Sequence, residues 1–319
     1  MGGKTKVCAI TGVESPDCVN LDIDDEGTVA YVLPSVYQQV KLGESLRDQQ
    51  HFKTFEDYAG KTYLGILRMD VDGLGQRFIQ GFKSIGDYKV FSGRLVKFFG
   101  DRIEEMQKAK EFRDFLNIIY SGGDDLFIVG RWDKVVDFAD RIRTETALDF
   151  SKDNITISGG VAIVHPKFPI AKAAELAGMA EDRAKSFRNG EKNAFHFLGK
   201  TVSWNKEFDY VRGFKDQFMQ LISQDNMSKG ILHKLMLYDS IAQTNKQLAL
   251  DGKAEDFSFI WHMSYYLTRM IERDGKNLKI KDFCINLRDR ELMENEGRNL
   301  ELIALAARWA ELLLRFNDD

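Results

Sequence analysis

The chain has 319 residues, of which 44% are hydrophobic and 29% charged, and a formal net charge of −4. This composition is that of an ordinary globular protein with enough length for two domains and a sizeable core. The small negative charge argues against a protein that coats nucleic acid over its whole surface, although a local basic groove is compatible with it. No apolar run reaches about 18 residues, so no membrane span is expected.

The first region, residues 1–60, gives weak structural signals. Its start, MGGKTKVCAI, lacks the apolar core of a signal peptide, and the three cysteines of the chain are too few for a disulfide framework. We therefore expect a cytoplasmic protein. The clearest features are turn residues at 24–27 and a predicted helix from Pro34 to Arg47.

Residues 61–204 predict an α+β domain. Short apolar runs predict strands at 63–69, 116–120, 126–129, 155–163 and 194–198. Apolar residues at helical spacing predict helices between them, including 91–106 and 170–187. The order β-α-β-β-α-β-α-β, with paired strands in the middle, is typical of the split βαβ, or ferredoxin-like, arrangement.

Residues 205–319 predict an all-α domain. Several segments carry apolar residues on one helical face, among them 257–271 and the Ala- and Leu-rich 299–316. The stretch 272–298 is dense in charges of both signs and is expected to be a solvated loop. This region has no cluster of His, Cys or paired carboxylates that would suggest chemistry.

The segment SGGDD, residues 121–125, joins the two central predicted strands. Turn chemistry is one explanation, because Asp and Gly tolerate positive φ. A metal site held on a rigid hairpin is the other, and on these residues alone both stay open. The first predicted strand runs into Asp70 and should lie beside the hairpin in a ferredoxin-like sheet. Asp70, Asp124 and Asp125 would then cluster and repel one another.

A divalent cation would relieve this repulsion, and oxygen-only ligands favour Mg²⁺ or Mn²⁺. Two such ions suit phosphoryl or nucleotidyl transfer. Gly122 and Gly123 would leave room for a substrate to approach the backbone. Asp72 points the same way as Asp70 on an extended strand but ranks below it, because it could instead cap the next helix.

Two further segments suggest phosphate binding. Gly73, Leu74 and Gly75 follow the strand of Asp70 and open a helix, whose N–H groups could hold a triphosphate. Lys185 lies at the end of the helix 170–187 and could reach phosphates across the sheet. The alternative for Lys185 is a solvated helix end near a glycine C-cap.

Together these motifs resemble a known family. GGDD stands in the place of the GGDEF motif of nucleotide cyclase palms, and ITISGGVAIVHPKFPIAKAAELAGMAEDRAKSFRNGEKNAF is similar to the second half of such a palm. The GGDD form, the preceding YS, the FSGRLVKFF helix and the appended helices are more specific. They resemble the second palm and C-terminal helical domain of the large subunit of type III CRISPR effector complexes, over about residues 5–319.

The resemblance implies a nucleotidyltransferase that converts ATP to cyclic oligoadenylates when the effector complex holds target RNA. It assigns catalysis to Asp70, Asp124 and Asp125, and two Mg²⁺ or Mn²⁺ ions to these residues and Val71. It places Ser92 beside the base, where it would help to select adenine. It places ATP against a further set: Gly73, Leu74, Gly75, Gly122, Gly123 and Lys185. The implied partners are guide RNA, target RNA, other effector subunits and a second palm that completes the reaction centre.

The chain also departs from the family. KVCAITG and LPSVYQQVKLGESL resemble a zinc-binding linker with two Cys-x-x-Cys pairs, but only Cys8 and Cys18 remain. Because a structural zinc site needs four close ligands, we expect no zinc. The full family subunit has an HD nuclease domain and a first palm, and neither is evident here. We therefore expect a C-terminal portion or a reduced homologue.

The family's helical domain docks small helical subunits and lies along the guide–target duplex. Residues 205–319 would supply phosphate contacts from a set of cations: Lys206, Arg212, Lys215, Lys229 and Lys234. Deleting 205–319 should then spare nucleotide binding and abolish assembly. Two alternatives stay open: a stand-alone dinucleotide cyclase, for which no sensor domain is found, and a silent nucleotide-binding scaffold, against which the intact Asp124–Asp125 pair argues.

Overall fold

The structure is a computed structural model of the chain. It describes residues 54–82, 84–253, 256–274, 276–292, 294 and 297–316, and the backbone of short strands before residue 33. The predicted helix from Pro34 to Arg47 lies outside the described residues, as do Cys8 and Cys18. The expectation of no zinc therefore stays a prediction.

The strands and helices follow the predicted order except in 272–298. This stretch is expected to be a solvated loop, but it contains a helix at Leu278–Asn286 with Ile280, Phe283 and Cys284 buried. The strands are β1 (Lys6–Val7), β2 (Glu14–Ser15), β3 (Val19–Asp22), β4 (Val29–Val32), β5 (Leu64–Val71), β6 (Leu116–Gly122), β7 (Asp125–Arg131), β8 (Ile157–Val164), β9 (Ala194–Phe197) and β10 (Lys200–Ser203). The helices are α1 (Phe55–Ala59), α2 (Leu74–Gln80), α3 (Ile85–Lys97), α4 (Ile103–Gln107), α5 (Trp132–Asp149), α6 (Ile170–Lys185), α7 (Phe187–Gly190), α8 (Asp209–Ser223), α9 (Gly230–Leu250), α10 (Ser258–Asp274), α11 (Leu278–Asn286) and α12 (Arg298–Arg315). Single π-helical turns occupy Phe98–Arg102, Trp204–Phe208 and Leu287–Glu291.

A mixed six-stranded sheet has the order β10-β9-β8-β5-β7-β6. Strand β7 pairs antiparallel with both β5 and β6, and β8 pairs parallel with β9. This confirms the α+β fold class with its paired central strands and the helical segments that follow. Strand β10 was not predicted from the sequence. It follows β9 through a tight turn at Leu198 and Gly199, both with positive φ (51° and 84°).

The contacts within the chain define two compact units. Unit 1 comprises Met1–Ile155 and Val161–Gly178, and unit 2 comprises Thr156–Gly160 and Met179–Asp319. The division therefore passes through β8 and α6. The limits 1–60, 61–204 and 205–319 stay a prediction about domains. Within the described residues, no helix combines the length and the apolar character that crossing a bilayer requires.

Unit 1 has a sheet with helices on both faces. On one face, small residues of α6 let the helix approach the strands closely. The buried cluster there consists of Ala59, Leu64, Ile66, Val129, Ala162, Val164, Ala173 and Ala177. On the other face, α5 crosses β5 at Gly65, where an added Cβ would come within 2.8 Å of the Trp132 Cα. Glycine at this position therefore sets the distance between α5 and the sheet.

Unit 2 has an aromatic core that β9 shares with the C-terminal helix. Phe195 stacks on Trp204 with ring centroids 4.4 Å apart, and Phe197 meets Trp309 of α12 edge-on at 5.2 Å. The Trp204 indole N–H donates to the Ile157 carbonyl at 2.9 Å, so its burial leaves no unsatisfied donor. Residues on both sides of position 204 thus form one core. The expectation that deleting 205–319 spares nucleotide binding stays a prediction.

An ion-pair network joins β10 to α12 in the same unit. Arg298 donates to the Thr201 carbonyl at 2.7 Å, to Glu207 at 2.9 Å and to Glu301 at 2.7 Å. Burial disfavours ionisation of Glu207, but hydrogen bonds from Arg298 and from the Ser203 N–H outweigh it and lower its pKa. Like the aromatic core, this network joins residues on both sides of position 204.

A buried histidine of β9 should make the stability of unit 2 depend on pH. His196 Nε2 lies 3.4 Å from an Arg183 guanidinium nitrogen, and Nδ1 lies 2.7 Å from the Thr201 hydroxyl. A neutral ring can accept from Arg183 and donate to Thr201, whereas a charged ring would face a second cation. Burial first, and then Arg183, lower the pKa of His196 from 6.5 to about 4.

We expect the free energy of unfolding to fall as the pH drops from 6.5 to about 4. The unfolded chain binds a proton at His196 over this range and the folded chain does not, so stability is fully present only above the higher value. The contribution is at most about 3 kcal/mol. Urea unfolding at pH 7.5, 6.0 and 4.5 measures it. His196→Asn should flatten this slope relative to the exposed control His262→Asn, and equal slopes in both variants would contradict the assignment.

Candidate functional site

The GGDD hairpin turns on two residues, Gly123 and Asp124. Gly123 has φ of 67°, in the left-handed region that glycine adopts without strain. A Cβ at Gly123 would meet nothing within 4 Å, so the turn geometry and not crowding requires glycine. Turn chemistry accounts for Gly123 in this way. It does not account for Asp125, which is the first residue of β7 and pairs with the sheet.

Asp70 and Asp125 are directly opposite each other on the antiparallel strands β5 and β7. Side chains of such a pair share one face of the sheet. Carboxylate oxygens of the two residues lie within 4.8 Å of each other, with Asp70 half-buried and Asp125 exposed. The Val71 N–H donates to the Asp124 carbonyl at 3.2 Å, which holds the turn against the end of β5. The two carboxylates are therefore fixed as neighbours by backbone pairing.

The apolar pattern of the strands dictates this register. Met69 pairs with Leu126, and Leu67 pairs with Ile128, and all four side chains are buried. Ile66 and Val129, on the other face of the same strands, are buried as well, so this register keeps apolar residues inside on both faces. The acidic pair follows at the next position, where the strands leave the core.

The donor set fits a hard divalent cation. Asp70 and Asp125 offer only oxygen atoms, the ligand type that such cations prefer. Their separation lets one ion contact both carboxylates, whose mutual repulsion it would cancel. The site can therefore hold a metal ion, while the metal roles of Val71 and Asp124 stay predictions.

The hairpin is tied to the helix that carries Ser92. The Ser121 hydroxyl, immediately before GGDD, donates to the Phe99 carbonyl in the π-helical turn between α3 and α4. Such turns inside a helix are frequent at functional sites. Ser92 lies half-buried on α3, about two turns earlier. Its role beside the base stays a prediction.

The segment after β5 differs in one respect from the sequence expectation. Gly73 is the N-cap of α2, with φ of 69°, so Asp72 is not the cap that the sequence left open. Leu74 is buried in the first turn, and Gly75 follows it in the helix. The proposed contact of Gly73, Leu74 and Gly75 with a triphosphate stays a prediction, as does the approach of substrate to Gly122 and Gly123.

Lys185 pairs with Glu181, a residue that was not predicted to belong to the site. Its ammonium lies 2.7 Å from Glu181 Oε1, one turn earlier on α6. The Glu181 side chain is only 6% exposed and that of Lys185 is 30% exposed, so this is not the solvated helix end of the alternative explanation. The i,i+4 spacing of a Glu before a Lys was the signal that could have revealed the pair.

Comparison with known proteins agrees with this architecture. Residues 63–196 match the family model described as Cas10/Cmr2, second palm domain. The chain is 30% identical over 255 residues to the Mycobacterium tuberculosis protein named CRISPR system single-strand-specific deoxyribonuclease Cas10/Csm1 (subtype III-A). The match covers 73% of this chain and 30% of that protein, so the chain spans less than a third of its relative.

Solved structures show the same fold. A Csm1–Csm4 cassette in complex with cA4 aligns with a TM-score of 0.56 and 19% identity, over 91% of this chain and 40% of that one. A Csm1–Csm4 cassette in complex with one ATP aligns with a TM-score of 0.54 and 19% identity, over 81% and 38%. Residues 63–196 thus match the Cas10/Cmr2 second palm domain, and the chain is similar to CRISPR Cas10/Csm1 proteins of subtype III-A.

Proposed function

We propose that the chain is the nucleotidyl-transfer palm of a type III CRISPR large subunit and converts ATP to cyclic oligoadenylates. The observation that carries the proposal is the fixed pair Asp70–Asp125 at the end of β5 and β7. The family of the palm supports it, as does the presence of ATP or cA4 in the related Csm1–Csm4 cassettes.

In the proposed reaction, a ribose hydroxyl of one ATP attacks the α-phosphorus of the next, and pyrophosphate leaves. Asp70 and Asp125, with Asp124 and the Val71 carbonyl, would hold two Mg²⁺ or Mn²⁺ ions. When bound, such ions stabilise the charge on the attacking and leaving oxygens. Lys185 would bind the triphosphate, and Gly73 to Gly75 would orient it. Ser92 would read the base with its hydroxyl.

A second palm would complete the reaction centre. Each nucleotidyl transfer needs a donor and an acceptor ATP, and one hairpin with one acidic pair provides for one of them. The proposal therefore includes pairing with a further palm, on another chain or on a second copy of this one. A response to target RNA would reach the palm through the assembled complex.

We further propose that the helical part of unit 2 contacts other effector subunits and the guide–target RNA. Trp261 and Tyr265, four residues apart on α10, are 79% and 67% exposed and offer an apolar contact. Lys215 is an exception among the proposed phosphate ligands. Its side chain is only 15% exposed, is paired with Asp216, and has its ammonium over the Trp309 ring at 5.0 Å, so little of it is available to a phosphate.

Product analysis tests the proposed activity. We expect the chain, assembled with its effector subunits, to form cyclic oligoadenylate from ATP with Mg²⁺ or Mn²⁺ when target RNA is present. Separation of products by mass spectrometry, with ATP or GTP as substrate, distinguishes this from other activities. A cyclic dinucleotide made by the chain alone would favour the stand-alone cyclase. Bound ATP without any product would favour the silent scaffold.

The same assay tests base selection. If the Ser92 hydroxyl binds the adenine edge, Ser92→Ala should weaken ATP use by about 1 kcal/mol and narrow the preference for ATP over GTP. An unchanged preference would assign selection to the shape of the site or to backbone groups.

A further inference from the structure

Glu181 is a buried carboxylate in unit 2 that pairs with a cation of the same helix. It is 5% exposed as a residue, while the side chain of Lys185, one helical turn later, is 30% exposed. A buried carboxylate next to a cation restrains the cation more than an exposed one does, because the attraction is less screened by water. The Lys185 ammonium is therefore held at a defined place.

The backbone fixes Glu181 as well. At Gly160 of β8, an added Cβ would lie 2.4 Å from the Ala180 carbonyl carbon and 2.6 Å from the Glu181 nitrogen. The helix touches the strand backbone at this point, which only glycine allows. Glu181 is thus anchored directly on the sheet, and the length of its side chain sets the position of the Lys185 ammonium.

A second ion pair on the same helix shows the contrast. Lys172 and Glu175 are 2.8 Å apart, but their side chains are 65% and 63% exposed. Such a pair restrains its lysine little, because exposed ion pairs contribute little and are screened by salt. Glu175 therefore provides a matched control for the same substitution at Glu181.

We propose that Glu181 is a positioning residue that holds the Lys185 ammonium ready for the triphosphate of ATP. The inference rests on the proposed function, since it assumes that Lys185 binds phosphate. An ammonium carries three donors, so it can bind a carboxylate and a phosphate together. Glu181 would act by keeping the lysine side chain in one conformation, which removes part of the entropy cost of binding.

A double-mutant cycle on the full chain tests the proposal. Dissociation constants for ATP and for AMP, with Mg²⁺ present, are measured by calorimetry for the wild type, Lys185→Ala, Glu181→Gln, the double variant and Glu175→Gln. We expect Lys185→Ala to weaken ATP binding about tenfold or more, and Glu181→Gln by about threefold to tenfold. The dissociation constant for AMP, which lacks the β- and γ-phosphates, should change less than about twofold in both variants. Glu175→Gln should bind both as the wild type does.

The decisive result is the double variant, which should bind ATP as Lys185→Ala does. Additive effects would mean that Glu181 acts independently of Lys185 and would overturn the positioning role. An unchanged ATP affinity in Glu181→Gln, or equal losses for ATP and AMP, would overturn it too. Glu181→Asp, which keeps the charge on a shorter side chain, should bind ATP better than Glu181→Gln. A wild-type chain that binds no ATP would overturn the proposed function itself.

Discussion

Asp125→Asn is expected to reduce nucleotidyl transfer by about a thousandfold, since metal ligands supply several kcal/mol of charge stabilisation. Asp125 is exposed and pairs with Asp70 through the backbone, which asparagine preserves. The fold should therefore remain intact, and loss of repulsion between the two carboxylates could raise the stability of the metal-free chain slightly. Asp70→Asn should have the same effect for the same reason.

The measurement is product formation from ATP in the assembled complex, together with the urea unfolding curve of each variant. Asp101→Asn provides the control, because Asp101 is an exposed carboxylate in the π-helical turn of unit 1. It should turn over ATP as the wild type does. Wild-type turnover by the double variant Asp124→Ala, Asp125→Ala would refute catalysis at this hairpin.

Trp309→Ala is expected to reduce the free energy of unfolding by about 3–5 kcal/mol, the usual cost of removing a buried aromatic side chain. Trp309 is 3% exposed and contacts the rings of Phe197 and Phe208 at 5.2 and 5.8 Å. Its removal opens a cavity between the last helix and the last strands of the sheet.

Trp261→Ala is the matched control, since Trp261 is 79% exposed on α10 of the same unit. Its unfolding free energy should stay within about 0.5 kcal/mol of the wild type. Urea unfolding followed by far-ultraviolet circular dichroism measures both variants. Equal losses in the two variants would show that the interface of β9 with α12 is not the core that the structure describes.

The sequence predicts the central strands well because each is a short apolar run. Ile66 and Leu67 are both buried in β5, as are Ile128 and Val129 in β7, because helices cover both faces of the sheet. Asp70 and Asp125 then meet as a consequence of local pattern and sheet topology. Their proximity could therefore be expected from the sequence once the ferredoxin-like order was recognised.

Long-range packing could not be read in the same way. Trp309 lies more than 100 residues after Phe197, and nothing in either local pattern indicates that they touch. A boundary near residue 204 looked natural because strands give way to helices there. The local pattern does not show that Trp204 and Phe208 pack against the aromatic residues of β9 that precede them.

The status of single charged residues also depended on the tertiary structure. Lys215 looks like a surface cation in the sequence, but the Trp309 ring covers it. Glu181 looks like one of several exposed helix charges, but the close approach of α6 to Gly160 buries it beside Lys185. Local pattern by itself determined the strands and the hairpin, because apolar runs and turn residues act on neighbouring residues. Only the packing of distant segments decided which charges meet solvent and where the compact units divide, because those contacts join residues that no local pattern relates.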